Sequence, residues 1–119
     1  MVRFRLSLQA RADVAQILAT SVERWGIEGK RRYAAVLAAG MRKVAAEPQG
    51  PTTRDRVELS RGIRSLHLRN ARAGKAEAQV RRPVHVLYYR VARAGLVEIV
   101  RVLHERMEPS RHIGAEPKE

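Results

Sequence analysis

The run Leu96-Val-Glu-Ile-Val-Arg-Val-Leu103 constrains the fold more than any other segment of this chain. It is nearly all apolar and rich in β-branched residues, the composition of a strand buried on both faces. Such a strand needs strands beside it and a layer over it. One neighbour precedes it directly. Val84-His-Val-Leu-Tyr-Tyr-Arg-Val91 is a second β-forming run, and Ala92-Arg-Ala-Gly95 is the hairpin turn, with Gly95 for the positive φ. The covering layer has to be aliphatic: 45% of the 119 residues are hydrophobic, but only 4% are aromatic.

The N-terminal third supplies that layer. Arg3-Phe-Arg-Leu6 alternates with period two, as in a short strand with one buried face. Ser7 stands where a helix N-cap is wanted. Val14, Ile17, Leu18, Val22 and Trp25 then recur at spacings of three or four and mark a helix over roughly 8–25, stopped by Gly26. Tyr33, Leu37, Met41 and Val44 mark a second helix, ended by Pro48. Two helices joined by a short Gly-containing link predict an antiparallel hairpin. Gly40 is either a point of close helix approach or a tolerated weak spot.

Residues 48–62, with Pro48, Gly50, Pro51 and Gly62, read as a loop with a short turn near Val57–Leu59. Residues 63–69 alternate again and predict a strand. Residues 70–83 are small and basic and predict a long exposed connection, with a turn of helix possible at Ala71–Val80. The expected fold class is α+β: a small antiparallel β-sheet with an N-terminal helical hairpin packed on one face, in the order β-α-α-β-β-β. The expected organisation is one domain over 1–113 and a polar tail over 114–119.

The charge points to polyanionic or acidic partners. Lys and Arg number 24 against 12 Asp and Glu, a net charge of +12. Four are Lys (Lys30, Lys43, Lys75, Lys118) and the other 20 are Arg. Arg grips carboxylate and phosphate bidentately. A codon bias toward Arg explains the preference over Lys but not the excess of positive charge. Cysteine is absent, which excludes a disulfide scaffold, a thiolate zinc site and a cysteine nucleophile. No run reaches 18 apolar residues and the N-terminus has no secretory pattern, so neither a membrane span nor a signal is expected. Glu98, Glu105 and Glu108 are too scattered for a metal site and the glycines form no phosphate loop. No metal and no cofactor are expected.

Several words in this order are shared with a known group: Leu6-Ser-Leu8 opening the first helix, Trp25-Gly26 closing it, Gly62-Ile-Arg-Ser-Leu66, Leu87-Tyr-Tyr-Arg-Val91, and Ile99-Val-Arg-Val-Leu-His104 followed by Arg106-Met107 and Ser110-Arg-His112. Over roughly residues 3–113 the chain resembles the RelE/ParE superfamily of bacterial toxins, and within it the ParE branch of type II toxin–antitoxin systems. The connection at 70–83 is longer than the tight hairpin common in that family. The resemblance implies a cytoplasmic toxin encoded beside an acidic antitoxin that folds on binding and holds it in a hetero-oligomer. It implies DNA gyrase as the target, with the ribosome and mRNA cleavage as the RelE-like alternative. Operator binding would belong to the antitoxin and not to this chain. A non-toxic basic nucleic-acid-binding module is a further alternative.

For the gyrase reading, no catalytic residue is expected, and Arg64, Arg69, Arg101, His104 and Arg106 are candidates for target binding. For the nuclease reading, RNA cleavage needs a base, an acid and a cation for the phosphorane. The RelE pattern of sheet Lys and Arg with a C-terminal Tyr is incomplete here, leaving His104, Arg106, His112 and Arg64 as the alternative set; His67 and His85 are further titrating histidines. The preferred role for His104 is structural, closing the end of its strand through a backbone hydrogen bond. Antitoxin contacts are assigned to Trp25, Tyr33, Leu37, Met41 and Tyr89, on the outer side of 10–45 and one face of 84–91. Trp25 is also read as an anchor of the hairpin on the sheet, and Tyr88 and Tyr89 as pointing to opposite faces, one into the core and one against a partner or the helices.

Overall fold

The computed structural model describes residues 2–71, 80 and 82–113. The expected turn of helix at Ala71–Val80 and the tail at 114–119 lie almost wholly outside those residues. Strand β1 (Arg3–Leu6) leads into a helical segment, Leu8–Ala46. Strands β2 (Arg54–Asp55), β3 (Arg64–His67), β4 (His85–Arg93) and β5 (Leu96–His104) follow, with single 3-10 turns at Leu68–Asn70 and Pro109–Arg111.

The helical segment is two helices. Gly26 has φ 74° and ψ −172°, a region essentially reserved for glycine. Unbroken, 39 residues would extend about 58 Å, more than the longest dimension of the molecule, 43 Å. The chain therefore folds back at Gly26, between α1 (8–25) and α2 (27–46). A second glycine makes the corner possible: a Cβ on Gly29 would lie 2.1 Å from the Cβ of Trp25. Ser7 caps α1, accepting from the Ala10 amide at 3.0 Å. Val14, Ile17 and Leu18 of α1 and Tyr33, Val36, Leu37, Met41 and Val44 of α2 pack into one core with the sheet.

The sheet order is β1-β5-β4-β3-β2. β5 is an interior strand, as its apolar run requires, between β4 on one side and the edge strand β1 on the other. β2 through β5 pair antiparallel, but β1 runs parallel to β5, Arg3 opposite Leu96 and Leu6 opposite Ile99. The sheet is thus mixed. The rest of the fold intervenes between β1 and β5, so no tight turn imposes an antiparallel pairing. The strand expected over 63–69 stops at His67, whose Nδ1 accepts from the Arg69 amide at 3.0 Å and turns the chain.

Strand alternation separates two apolar clusters. Leu66, Leu87, Tyr89, Val97, Ile99 and Val102 face the helices. Tyr88 and Leu103 lie on the other face, with Leu59, Ile63 and Ile113 packed over them. Gly40 serves the first cluster. A Cβ there would meet Leu68 at 2.7 Å and Leu87 at 3.1 Å, so its bareness admits the sheet to α2. Trp25 does not anchor the hairpin: it is 70% exposed. The core contacts of α1 end at Leu18, two turns before the corner. Among the described residues no helix is long and apolar enough to cross a membrane.

Candidate functional site

The helix-free face of the sheet holds a cleft of about 420 Å³. Ser65, His67, Val86 and Tyr88 form its floor, because alternation turns these residues away from the helices. Arg54 and Arg56 stand on one wall, Met107 and Pro109 on another, and Arg69 with Asn70 closes the end. Arg56 is fixed: its Nε donates to Glu58 at 2.7 Å and its guanidinium lies 5.6 Å from the centre of the Tyr88 ring. Arg54 and Arg69 are exposed, and neither guanidinium forms an ion pair with a described residue. Glu105 is the carboxylate of the cleft, bound to His67 Nε2 at 2.7 Å. That contact holds the Glu105 carboxyl below the usual carboxylate range.

Three of the four histidines, His67, His85 and His104, are occupied by the fold. His67 spends both ring nitrogens: Nδ1 accepts from the Arg69 amide and Nε2 meets Glu105. His104 Nδ1 accepts from the Arg106 amide at 3.0 Å, the strand-closing role favoured for it. His85 sits between Tyr33 and His104, each ring edge-on to it, at centroid distances of 5.4 and 5.5 Å. Its Nδ1 pairs with the Tyr33 hydroxyl at 2.5 Å, and that hydroxyl accepts from the Val84 amide at 3.2 Å. Burial, then the charge of His104, lowers the His85 pKa to about 4.

The alternative nuclease set does not converge. Arg64 sits beside Tyr89, four residues along β4 from the His85–His104 pair, about 13 Å away. It is tied to the Pro48 carbonyl (3.0 Å) and Thr53 Oγ1 (2.9 Å). The target-binding set is dispersed in the same way. Arg101 is held by Asp13 through two contacts of 2.8 and 2.9 Å. Arg106 is exposed outside the cleft lining, and only Arg69 of the five lines it. The antitoxin set needs a larger correction. Tyr33, Leu37, Met41 and Tyr89 are buried in the helix-side core, and a side chain spent there offers no surface to a partner. Tyr88 is buried too, on the opposite face, so neither tyrosine of the pair is left for a partner. Of that set only Trp25 is exposed, and Ile27, 62% exposed, joins it at the corner.

Two features escape a reading of the sequence. Asp13 completes the edge of β5 where β1 has ended: it accepts from the Val102 amide at 2.9 Å as well as gripping Arg101, while Ser7 Oγ donates to the Val100 carbonyl at 2.8 Å. A lone Asp in an amphipathic helix carries no sign of this. The cleft was partly visible, since alternation alone puts Ser65 and His67 on one face; the approach of Arg54 and Arg56 depends on how the 48–62 loop lies.

Comparison with known proteins places this fold. Residues 4–109 match the family model described as the ParE toxin of the type II toxin–antitoxin system parDE. A curated protein of Mycobacterium tuberculosis named Toxin ParE1 is 32% identical over 111 residues, 93% of this chain and 97% of that protein. A Toxin ParE1 of Caulobacter vibrioides is 35% identical over 114 residues, 96% of this chain and all of that protein. A solved structure titled as a chromosomal ParDE system from P. aeruginosa shares the fold, with a TM-score of 0.62 and 18% identity over 87% of this chain and 96% of that one. The chain belongs to the ParE toxin family of type II toxin–antitoxin systems.

Proposed function

We propose that the chain acts as a toxin by binding DNA gyrase in the bacterial cytoplasm and blocking replication, and that a cognate antitoxin neutralises it. The family match over residues 4–109 carries this reading. The geometry favours a binder over a nuclease: His67 has both ring nitrogens engaged, His104 is turned to a backbone amide, and Arg64 is pinned across the sheet. The antitoxin contact is reassigned to the surface that is free. Trp25 and Ile27 at the corner form an exposed apolar patch among the exposed Arg24, Lys30, Arg31 and Arg32. An acidic segment that folds on binding matches both its apolar and its cationic character.

The test pairs two assays on the purified chain: gyrase supercoiling with cleavage-complex detection, and mRNA cleavage on programmed ribosomes. Accumulated gyrase–DNA cleavage complexes with intact mRNA are expected. Cut mRNA with normal supercoiling overturns the reading. Trp25→Ala is expected to weaken antitoxin binding by about 2 kcal/mol, the scale of an aromatic hot spot, while gyrase inhibition persists.

A further inference from the structure

We infer that the cleft on the helix-free face binds a phosphodiester of single-stranded nucleic acid. Three arginines, Arg54, Arg56 and Arg69, line it. They differ in a way that suits the task. Arg56 is held by Glu58, which offsets its charge, and by the Tyr88 ring, and it forms a fixed wall. Arg54 and Arg69 are exposed, and neither forms an ion pair with a described residue, so their forks are available for phosphate oxygens. The carboxylate of the lining, Glu105, is turned to His67, and Glu58 is turned to Arg56.

The shape selects a single strand. The cleft is at the small end of ligand-site volumes, and its floor is recessed between the 54–56 strand edge and the 107–109 segment. A single strand can turn one phosphate inward between these walls, whereas a duplex holds its phosphates on a rigid convex surface. Met107, 46% exposed at the lip, offers a polarisable apolar contact for the adjoining base. The engaged nitrogens of His67 make this a binding site and not a cleavage site. The inference does not depend on gyrase being the target, and its test contains no gyrase.

The experiment measures fluorescence anisotropy of labelled 12-mer oligothymidylate, 12-mer oligouridylate and a 12-base-pair duplex with the purified chain at several salt concentrations. The double variant Arg54→Ala/Arg69→Ala is expected to bind both single strands at least tenfold more weakly. Its salt slope should fall by about 1.4, roughly 0.7 for each lost phosphate contact. Arg3→Ala/Arg93→Ala, at the hairpin end of the sheet where both residues flank Leu96, removes the same charge away from the cleft and is expected to change single-strand affinity less than twofold. Equal losses in the two variants would mean diffuse attraction to a chain of charge +12 and would overturn the inference. So would an unaltered affinity in the cleft variant, preference for the duplex, or no binding at all. Unchanged thermal melting of both variants keeps unfolding from imitating a binding loss. Oligothymidylate against oligouridylate then tells a DNA source from an RNA source.

Discussion

The two faces of the sheet are built from the same strands and do opposite things. The helix side is closed: Leu66, Leu87, Tyr89, Val97 and Ile99 are sealed under α1 and α2. Its polar groups are spent internally, Tyr33 on His85 and the Val84 amide, and Arg64 on Pro48 and Thr53. The other face is closed only in part, where Leu59, Ile63 and Ile113 cover Tyr88 and Leu103. The remainder is left open as a cleft walled by arginines. Similar residue types, Arg, His and Tyr, occur on both faces, so composition does not separate scaffold from site. What separates them is whether a second layer covers the strand.

The largest test of this contrast is truncation on either side of β4. Leu87→Ala, which empties a fully buried position under the helices, is expected to cost 2–5 kcal/mol. Val86→Ala, its neighbour on the cleft floor and only half-buried, should cost about 1 kcal/mol. Denaturant unfolding gives both values. Equal losses would mean that the two faces share one core after all.

A smaller effect sharpens the closed side. At Gly40, helix propensity favours alanine by about 1 kcal/mol. Crowding against Leu68 and Leu87 opposes it at about 1–3 kcal/mol. Gly40→Ala should therefore be net destabilising, by about 1 kcal/mol. A rise in melting temperature would show that the sheet yields there and that Gly40 is merely tolerated.

The smallest effect is a pH dependence confined to the helix side. His85 is neutral in the folded chain down to about pH 4, against an ordinary value of 6.5. Above 6.5 both folded and unfolded states leave it unprotonated and its full contribution is present. Between about 6.5 and 4 the unfolded chain takes up a proton that the folded chain refuses, so stability falls as the pH falls. Melting curves across that window should slope less for His85→Gln than for the parent. The carboxyls of Glu58, Glu105 and Glu108 are held below their usual value and make their losses lower, below about pH 4.5. Parallel slopes for the variant and the parent would remove His85 as the cause.

Much of the fold was legible because burial leaves a periodic mark. The continuous run 96–103 announced an interior strand, the three- and four-residue spacings announced α1 and α2, and Gly26 and Gly95 stand where the backbone needs positive φ. The site was less legible for the same reason. Tyr33, Leu37 and Met41 carry a strong stripe, but a stripe reports only that a face is covered, and here the sheet does the covering. Trp25 lies on the continuing stripe of α1 and is exposed, because the hairpin turns beyond the last core contact.

By itself the sequence determined the α+β class, the order of the elements apart from β2 (which falls where a loop was expected), the excess of positive charge and the kinship with ParE toxins. These rest on local periodicity, on composition and on words read along the chain. Only the tertiary structure decided that β1 joins β5 in parallel, that Asp13 takes over the edge of β5 and holds Arg101, and that Arg54, Arg56 and Arg69 meet around His67. Each of these joins residues distant in sequence, and such a meeting is fixed by how the layers and loops pack, which no local pattern records.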